Sequence, residues 1–124
     1  MGLVRILAID DEEGIRTFIQ RALEPYYEVH LAVDGERGIQ QAKVLKPDLI
    51  LLDLWMPGLS GLEVLAKLKA KEATSGIPVV VVSSRGESEA LVESQRAGAV
   101  DHVIKPFDLE ELRRVIQRQL PGRG

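Results

Sequence analysis

Apolar runs rich in Val, Ile and Leu alternate with segments of helical period along this chain, and that alternation constrains its fold more than any other feature. The runs are Leu3 to Ile9, Leu49 to Leu52, Val79 to Val82 and His102 to Ile104, with a fifth, alternating stretch around Tyr27 to Val33. Short apolar runs separated by helical segments are the signature of βα units, which stack their strands in parallel. Strands that end after the same kind of crossover finish on one edge of the sheet. Asp10 and Asp11, Asp53, Ser83 and Lys105 each follow or close such a run. These polar residues are therefore expected to meet in space.

The helical segments are read from their stripes. Ile15, Phe18, Ile19, Ala22 and Leu23 fall three and four residues apart, and Pro25 stops that helix. Asp34-Gly35 turns into a second helix with Ile39, Ala42 and Leu45 inward. Ser60 and Glu63 have capping-box spacing ahead of Leu65 and Leu68, and Asp108 with Glu111 repeats that spacing ahead of Leu112, Ile116 and Leu120. The fourth helix, about Glu87 to Ala97, has the weakest stripe and is expected to be held loosely. Tyr27, Val29, Leu31 and Val33 alternate with polar or small residues, which places their strand at an edge. The third and fourth strands are apolar on both faces and belong in the centre. Right-handed crossovers then lead to an α/β fold with five parallel strands in the order 2-1-3-4-5 and five helices. The winding reverses between strands one and three, which Asp10, Asp11 and Asp53 end, and such a reversal is where open α/β sheets bind ligands.

Composition closes off several function classes. The 124 residues suit one domain, with 45% hydrophobic and 28% charged residues. The net charge is −3, and the ten arginines and six lysines are dispersed, so direct nucleic-acid binding is not expected. No apolar run is long enough to span a bilayer and the start lacks the pattern of a signal peptide, so a cytoplasmic location without membrane contact is the expectation. The absence of cysteine excludes disulfides, thiolate metal sites and cysteine nucleophiles.

Clustered carboxylates repel one another unless a positive charge joins them, and a hard cation such as Mg²⁺ suits an all-oxygen set. A carboxylate such as Asp53 can also attack phosphorus and form an aspartyl phosphate. Phosphoryl transfer asks mainly for in-line positioning and positive charge on the phosphoryl oxygens. Lys105 and the metal would supply that charge, and Ser83 a hydroxyl donor. Adjacent acids at a strand-to-helix junction often serve only as helix caps. With Asp53 and Lys105 in register, a metal site is the better reading of Asp10 and Asp11, while Glu12 and Glu13 are read as complements to the helix dipole.

Asp10-Asp11 after the first strand, Asp53-Leu54-Trp55-Met56-Pro57 with Gly61 beyond, Ser83 at the end of a valine strand and Lys105-Pro106-Phe107 resemble the receiver domain of two-component response regulators. The resemblance covers essentially the whole chain and implies a flavodoxin-like doubly wound sheet. It implies that Asp53 accepts a phosphoryl group from a phosphohistidine on a sensor histidine kinase or a histidine phosphotransfer protein. It further implies Asp11, Asp53 and the Trp55 main-chain carbonyl as direct Mg²⁺ ligands, with Asp10 acting mainly through water. Lys105 would pair with the phosphoryl oxygens across a cis bond to Pro106, and Ser83 would swing to hydrogen-bond one of them. Such domains catalyse only their own phosphorylation and dephosphorylation, and their output is conformational.

Two positions depart from the pattern. The aromatic switch residue expected three places before the lysine is His102, a smaller ring of a residue type that serves as a switch near physiological pH, so a pH-sensitive readout is the expectation. Trp55 is bulky for its place and, with Arg85, would shield the acyl phosphate from water. A phosphatase of the dehalogenase type also uses a strand-end Asp and Mg²⁺, but it resembles Asp-x-Asp, and the second acid is replaced here by Trp55. The remaining alternative is a degenerate receiver acting as an unphosphorylated protein-binding module, against which the complete set of acids, lysine and hydroxyl argues. Residues 1–120 are read as the receiver domain and 121–124 as a loose tail. The fourth helix, fifth strand and fifth helix form the expected surface for a downstream protein target.

Overall fold

Continuous apolar strands bury both faces only if helices cover both sides of the sheet, and the chain folds in that way. The computed structural model describes residues 2–122. In chain order the elements are β1 (Arg5–Ile9), α1 (Glu13–Leu23), β2 (Glu28–Ala32), α2 (Gly35–Leu45), β3 (Leu49–Asp53), α3 (Gly61–Ala70), α4 (Glu72–Ser75), β4 (Val79–Ser84), α5 (Ser88–Arg96), β5 (Asp101–Lys105) and α6 (Leu109–Gln119). All strand pairs are parallel and the order is β2-β1-β3-β4-β5, as the strand compositions require.

Alternate side chains of each strand enter opposite layers. On one face Leu7, Ile9, Ile50, Leu52, Val79 and Val81 pack with Ile39 and Ala42 of α2 and with Val64, Leu65 and Leu68 of α3. On the other, Ile6, Ala8, Leu49, Leu51, Val80 and Val103 pack with Ile19 and Leu23 of α1 and with Leu112, Val115 and Ile116 of α6. Every residue of β3 is buried, whereas β2 and β5 are partly exposed along their length.

The caps follow the sequence signals. Ser60 and Glu63 form both halves of a capping box at α3, and Asp108 accepts the Glu111 N–H at 2.8 Å. At α6 only the Asp108 half of the expected box forms. Among the described residues there are six helices rather than the five expected. The additional one, α4, is a single turn that sequence period cannot reveal, and Thr74 anchors it by donating its buried hydroxyl to the Leu68 carbonyl at 2.6 Å. In α5 only Ser94 is fully buried, which agrees with its weak stripe. Of the tail expected over 121–124, Pro121 and Gly122 are exposed and Arg123 and Gly124 lie outside the described residues. No helix is long and apolar enough to cross a membrane among the described residues.

One glycine fixes how α3 meets the edge of the sheet. The Gly61 N–H donates to the Leu54 carbonyl at 3.0 Å, and a Cβ at this position would lie 2.3 Å from the Asp53 carbonyl oxygen and 2.4 Å from the Leu54 Cα. Both obstacles are backbone and cannot turn aside. Gly61→Ala is therefore expected to cost about 2–3 kcal/mol, while Gly76→Ala, where nothing lies within 4 Å, should cost little. Urea midpoints at unchanged m measure both; equal midpoints for the two variants would contradict the close approach.

Candidate functional site

Strand register brings the polar residues together. Ile9 pairs with Leu52, Asp53 with Val82 and Ser84 with Lys105, so β1, β3, β4 and β5 all finish at the same edge. Two of the ladders run one residue further, since the Asp10 N–H donates to the Ala32 carbonyl at 3.1 Å and the Leu54 N–H to the Val82 carbonyl at 3.0 Å. The acids are thus seated on paired backbone.

Carboxylate oxygens of Asp10, Asp11 and Asp53 all lie within 4.8 Å of one another. Asp10 and Asp53 are buried, at 2% and 3% exposure, while Asp11 is exposed. The Lys105 ammonium reaches into the same space, 3.3 Å from Asp10 Oδ2 and 3.7 Å from Asp53 Oδ1. Its peptide bond to Pro106 is cis. Asp10 Oδ1 accepts the Glu12 N–H at 2.9 Å, and the Arg16 guanidinium donates to the Asp10 carbonyl at 2.9 Å. Asp10 therefore shapes the turn into α1 as well as facing the cluster.

Asp53 Oδ1 accepts the Trp55 N–H at 3.3 Å, but Asp53 Oδ2 is buried with no hydrogen-bond partner. A buried carboxylate oxygen without a donor is costly. Burial, followed by the neighbouring Asp10 charge, pushes the Asp53 carboxyl up to about 7 against the opposing pull of Lys105 and the Trp55 amide. Burial also raises Asp10, partly offset by the Glu12 amide and Lys105. For Lys105 burial acts to lower its pKa, yet the hydrogen bond to Glu12 and the charges of Asp10 and Asp53 prevail and raise it. An oxygen-only set with one unsatisfied buried oxygen and raised carboxyl pKa values fits a hard divalent cation.

The other expected residues fall around this centre with different standing. Ser83 is buried at 2% exposure near the end of β4, where it pairs in register with Ile104. His102 is half-buried on β5 beside Val81 of β4. Trp55 lies two residues after Asp53, to which its backbone N–H donates, and its indole is 78% exposed. Arg85 is exposed as well. Glu12, expected from the sequence only to complement the helix dipole, places its carboxylate 3.0 Å from the Lys105 ammonium. The two residues are 93 positions apart, and nothing local to Glu12 signals the contact beyond its place one residue after the acid pair.

Residues 6–117 match the family described as the response regulator receiver domain. The chain is 33% identical over 118 residues to sporulation initiation phosphotransferase F of Bacillus subtilis, covering 94% of each chain. It is 37% identical over 117 residues to the regulatory protein AtoC of Escherichia coli, a match that takes in 94% of this chain but 25% of that protein. The chain thus spans about a quarter of the length of one curated relative and nearly all of another. Among solved structures, the chemotaxis protein CheY4 of Vibrio cholerae superposes with a TM-score of 0.89 at 28% identity, covering 94% of this chain and 98% of that one. A CheY-like response regulator receiver domain protein of Methanospirillum hungatei gives 0.90 at 28% identity, over 98% and 97%. A match that begins in β1 and ends in α6, taking in the whole sheet and every crossover between its strands, means that the chain belongs to the response regulator receiver domain family.

Proposed function

We propose that residues 1–120 form a receiver domain in which Asp53 accepts a phosphoryl group from a phosphohistidine of a sensor histidine kinase or a histidine phosphotransfer protein. The observation that carries this reading is the buried Asp53 carboxylate, with one oxygen unpartnered and with two further acids and a lysine around it. Asp11, Asp53 and the Trp55 carbonyl would hold Mg²⁺ directly, and Asp10 mainly through water. When bound, Mg²⁺ supplies positive charge that offsets the three carboxylates and the phosphoryl oxygens. Asp53 attacks phosphorus as its new O–P bond replaces the N–P bond of the donor, and the imidazole leaves with a proton. Lys105 lies near enough to meet a phosphoryl oxygen with its ammonium, and Ser83 offers a hydroxyl at the neighbouring strand end.

Phosphorylation would then be read as a change of shape. Ser83 and His102 are the proposed switch residues, and the loosely packed α5 with β5 and α6 is the proposed surface for a downstream protein target. The domain acts as a signalling element that catalyses only its own phosphorylation and dephosphorylation, in the cytoplasm, without direct contact with nucleic acid or membrane.

With acetyl phosphate and Mg²⁺, intact-mass spectrometry should show the gain of one phosphoryl group, lost on chelation of the metal and in Asp53→Ala. Retention of the gain in Asp53→Ala would remove Asp53 as the acceptor.

The raised Asp53 pKa has a consequence for stability whose sign is opposite to that of an ordinary paired carboxylate. Between the unfolded value of 3.8 and the folded value of about 7 the native state binds more protons than the unfolded one, so metal-free stability falls as pH rises through that window. Asp10 titrates in the same direction. In the presence of a chelator, Asp53→Asn should therefore exceed the wild type in stability at pH 8 by on the order of 2 kcal/mol. The gain should shrink as the pH is lowered through that window and approach zero only near pH 4. Urea unfolding across that range tests this; a gain that does not vary with pH would contradict it.

A further inference from the structure

Glu12 stands at the amino-terminal boundary of α1, yet its side chain caps nothing. Its amide is pinned by Asp10 Oδ1 at 2.9 Å, which fixes its backbone beside the cluster. Its carboxylate, 59% exposed, reaches over to the Lys105 ammonium at 3.0 Å, whereas that ammonium stands 3.3 Å from Asp10 and 3.7 Å from Asp53. Only the Glu12 distance lies within the usual range of an N–H···O hydrogen bond. Of three acids surrounding one ammonium, the outermost and most solvated lies nearest to it.

A lysine seated directly on Asp53 would occupy the same carboxylate that a cation must bind, and two positive charges cannot share one buried carboxylate cheaply. We infer that Glu12 is a positioning residue: it draws the Lys105 ammonium away from Asp53 and so leaves the Asp53 carboxylate open to a divalent cation. This rests on the reading of Asp10, Asp11 and Asp53 as a cation cradle. A partly exposed ion pair contributes little to stability, so the effect of Glu12 is felt in where the lysine sits rather than in how firmly the domain folds. The length of the side chain matters, because an aspartate at this position is one methylene shorter.

Calorimetric titration with MgCl₂ alone, without phosphodonor, tests the inference in the wild type, E12Q, E12D, K105M and E12Q/K105M. Glu12→Gln is expected to weaken Mg²⁺ binding about three- to tenfold when Lys105 is present and by less than about 1.5-fold in the Lys105→Met background, the non-additivity of a coupled pair. Glu12→Asp keeps the charge but not the reach and should behave as E12Q does. Equal losses in both backgrounds, or wild-type affinity in E12D, would make Glu12 a general negative charge and overturn its positioning role while leaving the cradle intact. A wild type that takes up no Mg²⁺ would overturn the cradle and this inference together.

Discussion

Asp10 and Asp53 are buried side by side, and the rest of the edge is arranged around the repulsion between them. With carboxylate oxygens within 4.8 Å of one another, two ionised carboxylates oppose one another by roughly 3 kcal/mol or more at the effective dielectric of a protein interior. Lys105 offsets part of that, and burial first, with the Asp10 charge second, pushes the Asp53 carboxyl up to about 7. The apolar layers on the two faces of the sheet supply the burial that keeps the acids in place. Local electrostatic cost at a site held by a well-packed scaffold is the arrangement expected where a ligand is to be bound.

The scaffold does this through register. Parallel strands with crossovers of one hand deliver their carboxyl ends to one edge, and neighbouring strands β1 and β3 bring their terminal acids together without any loop of unusual shape. Gly61 lets α3 begin against the backbone of Asp53 and Leu54, so the nucleophile candidate is braced from behind by main chain. The opposite end of the design is α5, where a single buried serine and partly buried Ala90 and Leu91 are what hold the helix down. A rigid centre next to a weakly held helix is a sound basis for converting a charge change into movement.

Much of this could be read from residue order. The central position of β3 and β4 followed from strands apolar on both faces, and the edge position of β2 from its alternation, because burial on one or two sides dictates those patterns. The boxes at Ser60 and Asp108 were visible because capping is a contact over three residues, although Glu111 does not close the second one. The single turn of α4 was not visible, since four residues carry no period and its anchor is a hydroxyl reaching back to Leu68. The exposure of Trp55 was likewise beyond reach, because an aromatic residue in a loop is buried or not according to what lies above it.

The sequence by itself determined the fold class, the strand order and the meeting of Asp10, Asp11, Asp53, Ser83 and Lys105 at one edge, because those follow from hydrophobic period and chain connectivity. Only the tertiary structure decided which acid holds the lysine, which carboxylate oxygen lacks a donor and how far the Asp53 carboxyl is raised. Those depend on distances of a few tenths of an ångström between side chains far apart in the chain, and on how completely water is kept from them. Residue spacing carries no record of either.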